Sequence, residues 1–482
     1  MLLNLNKLHT ISCNSMAGIY IHIPFCKSRC YYCDFFSGTS LTRRNELLEM
    51  LHHELRMRLE RHDCSPSKTD SQTDFSQRGV LQTAAPFSCP SCDDSSELER
   101  QPNNSLISLP ATACIETLYF GGGTPSLLSP GKLGDFIRQI RQQWHNAPLE
   151  EITVEANPDD LSLDYLTALR QEGVNRLSIG IQSFHDRDLQ WMHRRHTARS
   201  AIKAVQAARQ AGFDNLSIDL IYGLPHMTLE EWRDNLQQAL SLHPEHISAY
   251  HLTIEPQTPF GRAKARGTLQ EIDSESSLAQ YKLLRSILCE AGYEHYEISN
   301  FALPGRRARH NSLYWHDVPY LGIGPSAHSF DGKRRQWNIA HLGRYLERTP
   351  TAAQAESEIL TPEMQYDEHI MTHLRTADGV HTAELAARFG TERLRYFIRQ
   401  AERHLVSGDL ILAAERFGNH ASPVKTEIAT NPDTVLQQVS DKAQPHIDQP
   451  EEAPEETPDL YYRIPAERWF VSDSIISDLF VG

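Results

Sequence analysis

Short apolar runs rich in β-branched residues alternate, as far as Ala291, with longer stretches in which apolar side chains recur every three or four positions. The runs are Gly18–Ile23, Ile115–Phe120, Glu151–Glu155, Arg176–Ile181, Leu216–Ile221 and His246–Ile254. Their brevity and composition predict strands. The stretches between them, Thr42–Arg61, Pro130–Trp144, Ser162–Gln171, Arg199–Ala211, Leu229–Leu242 and Ser274–Ala291, predict helices. Gly173, Gly212 and Gly292 stand where helices often end. Strict alternation of strand and helix predicts a parallel sheet with right-handed crossovers. Six units rather than eight predict an α/β fold built as an incomplete (β/α)6 barrel, open on one side. In such a barrel the chemistry belongs at the C-terminal ends of the strands, and every motif below is expected there.

Two segments break the pattern. Residues 63–113, rich in Ser, Pro, Asp and Asn, predict an insertion between the first helix and the second strand. Residues 418–458 end in an acidic, proline-rich run that cannot bury enough apolar surface to order itself. Around the second segment lie helical patterns at Asp367–Leu374, Thr382–Phe389 and Leu394–Leu405, strands at Leu410–Ala413 and Tyr461–Ile464, and a final helix. The expected organisation is an N-terminal extension over 1–17 and a barrel over 18–335 carrying the 63–113 insertion. A small winged-helix-like α+β domain over 360–482 follows, carrying a disordered insertion at 418–458. That domain is expected to pack on the barrel rather than bind nucleic acid, because the chain's formal charge is −15.

With 482 residues, 40% of them apolar, the chain can build a large core. No stretch reaches the ~18 consecutive apolar residues of a membrane span. Met1–Ser15 lacks the apolar block of a secretory signal, and Met16, just ahead of the first strand, is the expected start. Nine cysteines in a chain with a thiolate motif imply a reducing compartment, and the cytoplasm is the expected location.

Directly after the first apolar run, Cys26, Cys30 and Cys33 stand in Cys-x3-Cys-x2-Cys spacing. Three thiolates are one too few for a closed structural zinc site, but a cubic iron–sulfur cluster held by three keeps one iron open. The second strand runs into Gly121-Gly122-Gly123-Thr124-Pro125, where the backbone can approach a ligand closely, offering N–H groups to a carboxylate or accepting from an amine. The third ends in Glu155-Ala156-Asn157-Pro158, with a carboxylate suited to ribose hydroxyls. The fourth supplies Gln182, with Arg194 twelve residues on, and the fifth supplies Asp219 within Ile218–Pro225. Read without a family, Arg194 fits a solvated basic surface equally well, and Asp219 a helix cap. Cys89-Pro90-Ser91-Cys92, with Cys64 and Cys114 at the insertion's edges, offers one tight pair and reads as incidental.

The cysteine spacing is that of the radical S-adenosylmethionine (SAM) superfamily. Tyr20–Cys26, the glycine turn, Glu155–Pro158 and Ile218–Pro225 resemble the group of oxygen-independent coproporphyrinogen III oxidase and the heme chaperone HemW. The resemblance runs from about Gly18 to Phe330 and resumes weakly after Thr361. It implies a [4Fe–4S] cluster on Cys26, Cys30 and Cys33. It also implies SAM contacts from Tyr20, Tyr32, Gly122, Gly123, Thr124, Glu155, Gln182, Arg194 and Asp219.

Three features separate the two branches. The oxidase pattern has a fourth cysteine where this chain has Phe35, and a long segment ahead of the motif where at most 25 residues precede Cys26. His310-Asn311-Ser312-Leu313-Tyr314-Trp315 matches a His-Asn-x-x-Tyr-Trp pattern of the chaperone branch. The resemblance thus implies a heme chaperone, with His310 as a heme-iron ligand and Tyr314 and Trp315 against the macrocycle. Heme and a heme-acceptor protein are the implied partners, and peripheral contact with membrane hemoproteins is left open. No catalytic residue is assigned. The enzyme alternative is oxidative decarboxylation of coproporphyrinogen III through a 5′-deoxyadenosyl radical; a third reading is SAM-dependent chemistry on another substrate.

Overall fold

The computed structural model describes residues 15–60, 106–110, 112–347, 355–417 and 460–481. Most of the 63–113 segment, all of 418–458 and the first fourteen residues of the expected extension lie outside the described residues.

The barrel strands are β1 (Ser15–Ile23), β2 (Ala113–Gly122), β3 (Glu151–Ala156), β4 (Arg176–Gln182), β5 (Leu216–Tyr222) and β6 (His246–His251). Each pairs in parallel with the next. The helices between them are α1 (Arg44–Leu59), α2 (Pro130–Gln143), α3 (Leu163–Gln171), α4 (Asp186–Trp191), α5 (Ala198–Gln210) and α6 (Leu229–Ser241). After β6 come α7 (Pro259–Ala265) and α8 (Ser274–Glu290). Predicted and observed elements agree to within a few residues; the sixth strand stops at His251, short of Ile254. The short α4, which carries the turn to Arg194, has no counterpart in the sequence pattern.

Beyond the barrel strands the sheet continues. β7 (Glu294–Glu297) and β8 (Asn300–Ala302) add antiparallel strands beyond β6. On the other edge, after helix α9 (Arg309–Trp315), β9 (Tyr320–Ile323) pairs in parallel with β1. Then β10 (His328–Phe330), β11 (Arg334–Asn338), α10 (Leu342–Leu346) and β12 (Ala355–Ile359) extend the sheet to twelve strands. These outer strands are too short and too mixed in pattern to stand out from turns.

Alternation along the barrel strands separates two faces. Ile19, Ile21 and Ile23 of β1, Leu118 and Phe120 of β2, Val154 of β3, and Ile218 and Leu220 of β5 are fully buried in the apolar core. The alternate positions, among them Tyr20, Thr117, Tyr119, Glu155, Ser178 and Asp219, are polar and meet one another across the lumen. The barrel is therefore apolar outside and polar within.

The C-terminal part comprises α11 (Pro362–Leu374), β13 (Val380–His381), α12 (Thr382–Phe389), α13 (Thr391–Ser407), β14 (Ile411–Ala413), β15 (Tyr461–Arg463) and α14 (Ser472–Ser477). Its strands form an antiparallel sheet in the order β13-β15-β14. It packs on the barrel: the Tyr281 hydroxyl of α8 donates to the Ala466 carbonyl, and Arg285 of the same helix pairs with Glu467 at 3.3 Å.

One expectation fails. The His310–Trp315 segment is α9, and it closes the N-terminal floor of the barrel rather than its mouth. Its first N–H groups, those of Arg309 and His310, donate to the carboxylate of Glu151 at the start of β3 (2.9 and 3.0 Å). An acidic side chain there satisfies donors that the helix itself leaves unpaired.

Candidate cofactor site

The loop after β1 hangs above the barrel mouth and is braced on several sides. The Cys26 N–H donates to Gly38 O at 3.0 Å, and the Tyr31 N–H to Met192 O at 3.1 Å. The Tyr31 ring stacks on His193 at 4.5 Å. Cys26, Cys30 and Cys33 are all unbridged and partly exposed. Burial, reinforced by the neighbouring Cys30 and Cys26, raises the Cys33 thiol to about 11. Thr124 Oγ1 donates to Cys26 Sγ at 3.5 Å, Arg194 donates to Cys30 Sγ at 3.4 Å, and the Tyr32 phenol also bonds Cys30. Of the other described cysteines, Cys114 pairs with Met16 at the opposite end of β1, and Cys289 lies at the exposed end of α8.

Below the loop, the glycine turn is packed so tightly that side chains are excluded. At Gly122, with φ +108°, an added Cβ would come within 2.5 Å of the His22 ring. At Gly123 it would meet the backbone of Phe25 at 2.6 Å. The Gly123 N–H donates to Ile23 O (2.9 Å) and the Gly122 N–H to Glu155 Oε2 (3.1 Å). Both N–H groups are thus spent, so of the two roles expected of this turn, accepting from an amine is the one it keeps.

Glu155 also accepts from the Tyr119 hydroxyl at 2.9 Å. Burial raises its carboxyl to about 7 despite these bonds, and the charge of Asp219 adds to the effect. Asp219 is raised as well, by burial against hydrogen bonds from Ser248 and Ser178. Ser178 Oγ stands 3.1 and 3.2 Å from its two carboxylate oxygens. Tyr250 lines the same lumen and keeps 44% of its surface exposed, so the space between these groups is open.

The β4 strand ends in a register shift, and Gln182 there has φ +70°. A non-glycine residue held in that region is strained, as residues at ligand sites often are. Gly180 makes room for Arg194, whose guanidinium donates to Gly180 O at 2.6 Å and to Asn157 Oδ1. Arg194 stays charged: burial opposes the charge, but the Tyr32 phenol and Cys30 outweigh it. Its Nε–H is buried with no partner, a donor left over for a carboxylate.

The mouth thus gathers Tyr32, Gly122, Gly123, Thr124, Glu155, Gln182, Arg194 and Asp219 around the cysteine loop. Tyr20 lies deeper, its hydroxyl 3.1 Å from His22 Nδ1. Since His22 Nε2 must donate to the Phe36 carbonyl (2.9 Å), Nδ1 is an acceptor and Tyr20 the donor. Tyr119, Ser178 and Tyr250 join the site unforeseen; the inward register of β2, β4 and β6 was the signal that marked them.

His310, by contrast, is 1% exposed. Its Nδ1 meets Thr117 Oγ1 at 2.8 Å and its Nε2 the Tyr314 hydroxyl at 2.9 Å, and its ring stacks on Tyr119 at 5.0 Å. Burial lowers its pKa to about 3, helped by the charge of Arg176. Tyr314 and Trp315 are partly exposed, and Tyr314 meets Tyr320 edge-on at 4.6 Å.

Three unbridged thiols in one loop over an open parallel barrel, with an unspent guanidinium N–H and acceptor carbonyls beneath, fit a three-cysteine cluster and an amino-acid ligand on its open iron. This is the arrangement of a radical SAM protein, and the profile of the Radical SAM superfamily matches residues 103–239. Among solved structures, coproporphyrinogen III oxidase (HemN) from Escherichia coli, titled a radical SAM enzyme, superposes with a TM-score of 0.65 over 98% of this chain and 92% of that one. At 18% identity, that likeness speaks for the fold. The chain is 32% identical to the heme chaperone HemW of Lactococcus lactis, spanning 77% of this chain and 84% of that protein. It is 31% identical to the heme chaperone HemW of Bacillus subtilis, over 78% and 87%. The chain belongs to the HemW family of radical SAM proteins. A [4Fe–4S] cluster and SAM are the cofactors of that superfamily. No described helix is long and apolar enough to cross a membrane.

Proposed function

We propose that this protein is a cytoplasmic heme chaperone: it binds heme, holds a [4Fe–4S] cluster and SAM at the barrel mouth, and passes heme to an acceptor protein. The observation that carries the reading is Phe35. It is 68% exposed, two residues after Cys33, where the oxidase pattern has a fourth cysteine. An apolar ring facing outward beside the cluster loop suits contact with an apolar cargo or partner and cannot replace a thiol. The heme-chaperone names of the relatives support the same reading. The alternative, oxidative decarboxylation of coproporphyrinogen III, draws its support from a shared fold.

In this proposal Cys26, Cys30 and Cys33 hold the cluster. Tyr20, Tyr32, Gly122, Gly123, Thr124, Glu155, Gln182, Arg194 and Asp219 contact SAM. Bound together, the two cofactors supply one-electron reductive chemistry. The chain's own part is to offer carbonyls to an amine, the Arg194 Nε–H to a carboxylate, and Glu155 to hydroxyls. Residues 18–335 then form the barrel unit and 360–482 a winged-helix-like unit beside it.

His310, Tyr314 and Trp315 are the proposed heme contacts, with one condition from the geometry. Nε2 of His310 can meet iron once the Tyr314 hydroxyl lets it go. Under ligation, Tyr314→Phe frees that nitrogen and tightens heme binding, while His310→Ala removes the heme bands.

Anaerobically reconstituted protein, assayed in parallel for heme binding and for decarboxylation with SAM and reductant, tests the whole. Stoichiometric heme and no protoporphyrinogen above background are expected. Multiple turnovers of coproporphyrinogen III would reverse the assignment.

A further inference from the structure

Away from the barrel mouth, the turn behind α9 and helix α11 bring Asp317, His369 and His373 together. Each offers one ligand atom, and the three atoms lie within 4.8 Å of one another. The two histidines stand one turn apart on α11, with ring centroids 3.8 Å apart, and they are 0% and 2% exposed.

Their protons are fixed by what the Nδ1 atoms face. His373 Nδ1 is 2.9 Å from the carbonyl oxygen of His369, which can only accept, so Nδ1 carries the hydrogen. His369 Nδ1 stands 2.8 Å from Asp317 Oδ2 and donates to it. In both rings Nε2 is buried without a hydrogen-bond partner. Protonating either would leave a buried N–H with nothing to accept it, so each is best kept as a bare lone pair. Two adjacent buried lone pairs without donors are costly to a fold. A cation satisfies both at once. The bond from Asp317 to His369 Nδ1 is also how carboxylates orient imidazoles that ligate metals.

We propose that the Nε2 atoms of His369 and His373 hold a divalent transition-metal ion of the zinc type on helix α11, with Asp317, in the turn behind α9, orienting the His369 ring. Imidazole nitrogen is a zinc donor, and histidines four apart present both rings on one face of a helix. Arg388 also donates to Asp317 Oδ2. Asp317 therefore braces the His369 ring from the Nδ1 side, away from Nε2, and orients it without reaching the ion. His316, whose ring is 5.8 Å from that of His373, is already bonded to Asp378 (3.1 Å) and to Ser312 O (2.8 Å), so it is not counted as a ligand. Two protein donors leave two tetrahedral positions for water.

The test is zinc titration of the full chain with its cluster already in place, so that the cluster thiols do not compete, with zinc and iron counted separately by mass spectrometry. One zinc per chain is expected after dialysis, and zinc should raise the melting temperature. His369→Ala/His373→Ala should lose both effects. Asp317→Asn, which keeps the volume of the side chain, should weaken zinc binding at least about tenfold. Equal zinc in wild type and the double variant overturns the site, as does zinc no higher than the dialysis blank. Should the double variant fail to fold, Asp317→Asn decides alone, and unchanged zinc affinity there overturns the proposal.

Discussion

At the mouth of the barrel Cys26, Cys30 and Cys33 are partly exposed, and their sulfurs meet Thr124, Arg194 and Tyr32. At the floor, His310 is buried with both ring nitrogens and its N–H already bonded, to Thr117, Tyr314 and Glu151. The same strands line both ends. At the mouth the Arg194 Nε–H is held in reserve for a ligand, while the His310 donors and acceptors at the floor are consumed by the fold. A polar residue's type does not reveal which regime it belongs to; its unpaired atoms do.

The contrast is broken most severely at the mouth. Replacing any one of Cys26, Cys30 and Cys33 by alanine should abolish the cluster entirely, read as iron content and visible absorbance, because three ligands leave no redundancy. Cys289→Ala, on the exposed end of α8, should retain it. A full cluster in Cys33→Ala would end the assignment.

At the floor, His310→Ala should act on stability: a cavity plus unpaired buried hydroxyl groups costs about 3 kcal/mol. Chemical denaturation measures this. Heme bands lost from the folded variant would show that Nε2 leaves Tyr314 for iron, as proposed; bands retained would leave His310 to the fold alone.

Between the two ends, Glu155→Ala, Asp219→Ala and Arg194→Ala should weaken SAM about ten- to a hundredfold, with iron content retained. Calorimetry finding unchanged affinity in all three would dissolve the shared site.

Glu155 also gives the mouth a pH dependence. In the unfolded chain its carboxyl ionises near the ordinary glutamate value of about 4.5; in the fold burial holds the proton up to about 7. The native state binds that proton more tightly. Its contribution to stability is therefore present below about 4.5 and lost as pH rises to about 7. SAM affinity should run the other way, tightening as pH rises through about 7 and the carboxylate becomes an acceptor for hydroxyls. Glu155→Gln should flatten that profile; a slope that persists in it belongs to another group.

The smallest effect is expected at Phe35. Phe35→Ala should leave stability within about 0.5 kcal/mol, since the ring is largely in solvent. A measurable loss of heme transfer without loss of stability would make it part of a docking surface.

Local pattern determined much of this protein. The β-branched runs and the periodic stretches between them specify the six strands and their helices, because the face each strand turns to the helices, and the stripe each helix turns to the sheet, must be apolar. The spacing of Cys26, Cys30 and Cys33 marks the cluster loop, since ligand geometry within one loop is local. The short strands that carry the sheet to twelve were not legible: each is stabilised by its neighbours, and its own residues barely differ from turn composition. Tertiary structure alone decided that α9 seals the floor, because that depends on Glu151, far away in sequence, accepting its N–H groups. It also decided the pairing of Asp317 with His369 and His373. Which of the chain's 24 histidines keeps a free lone pair is a property of every group packed around it, and no window of sequence contains them all.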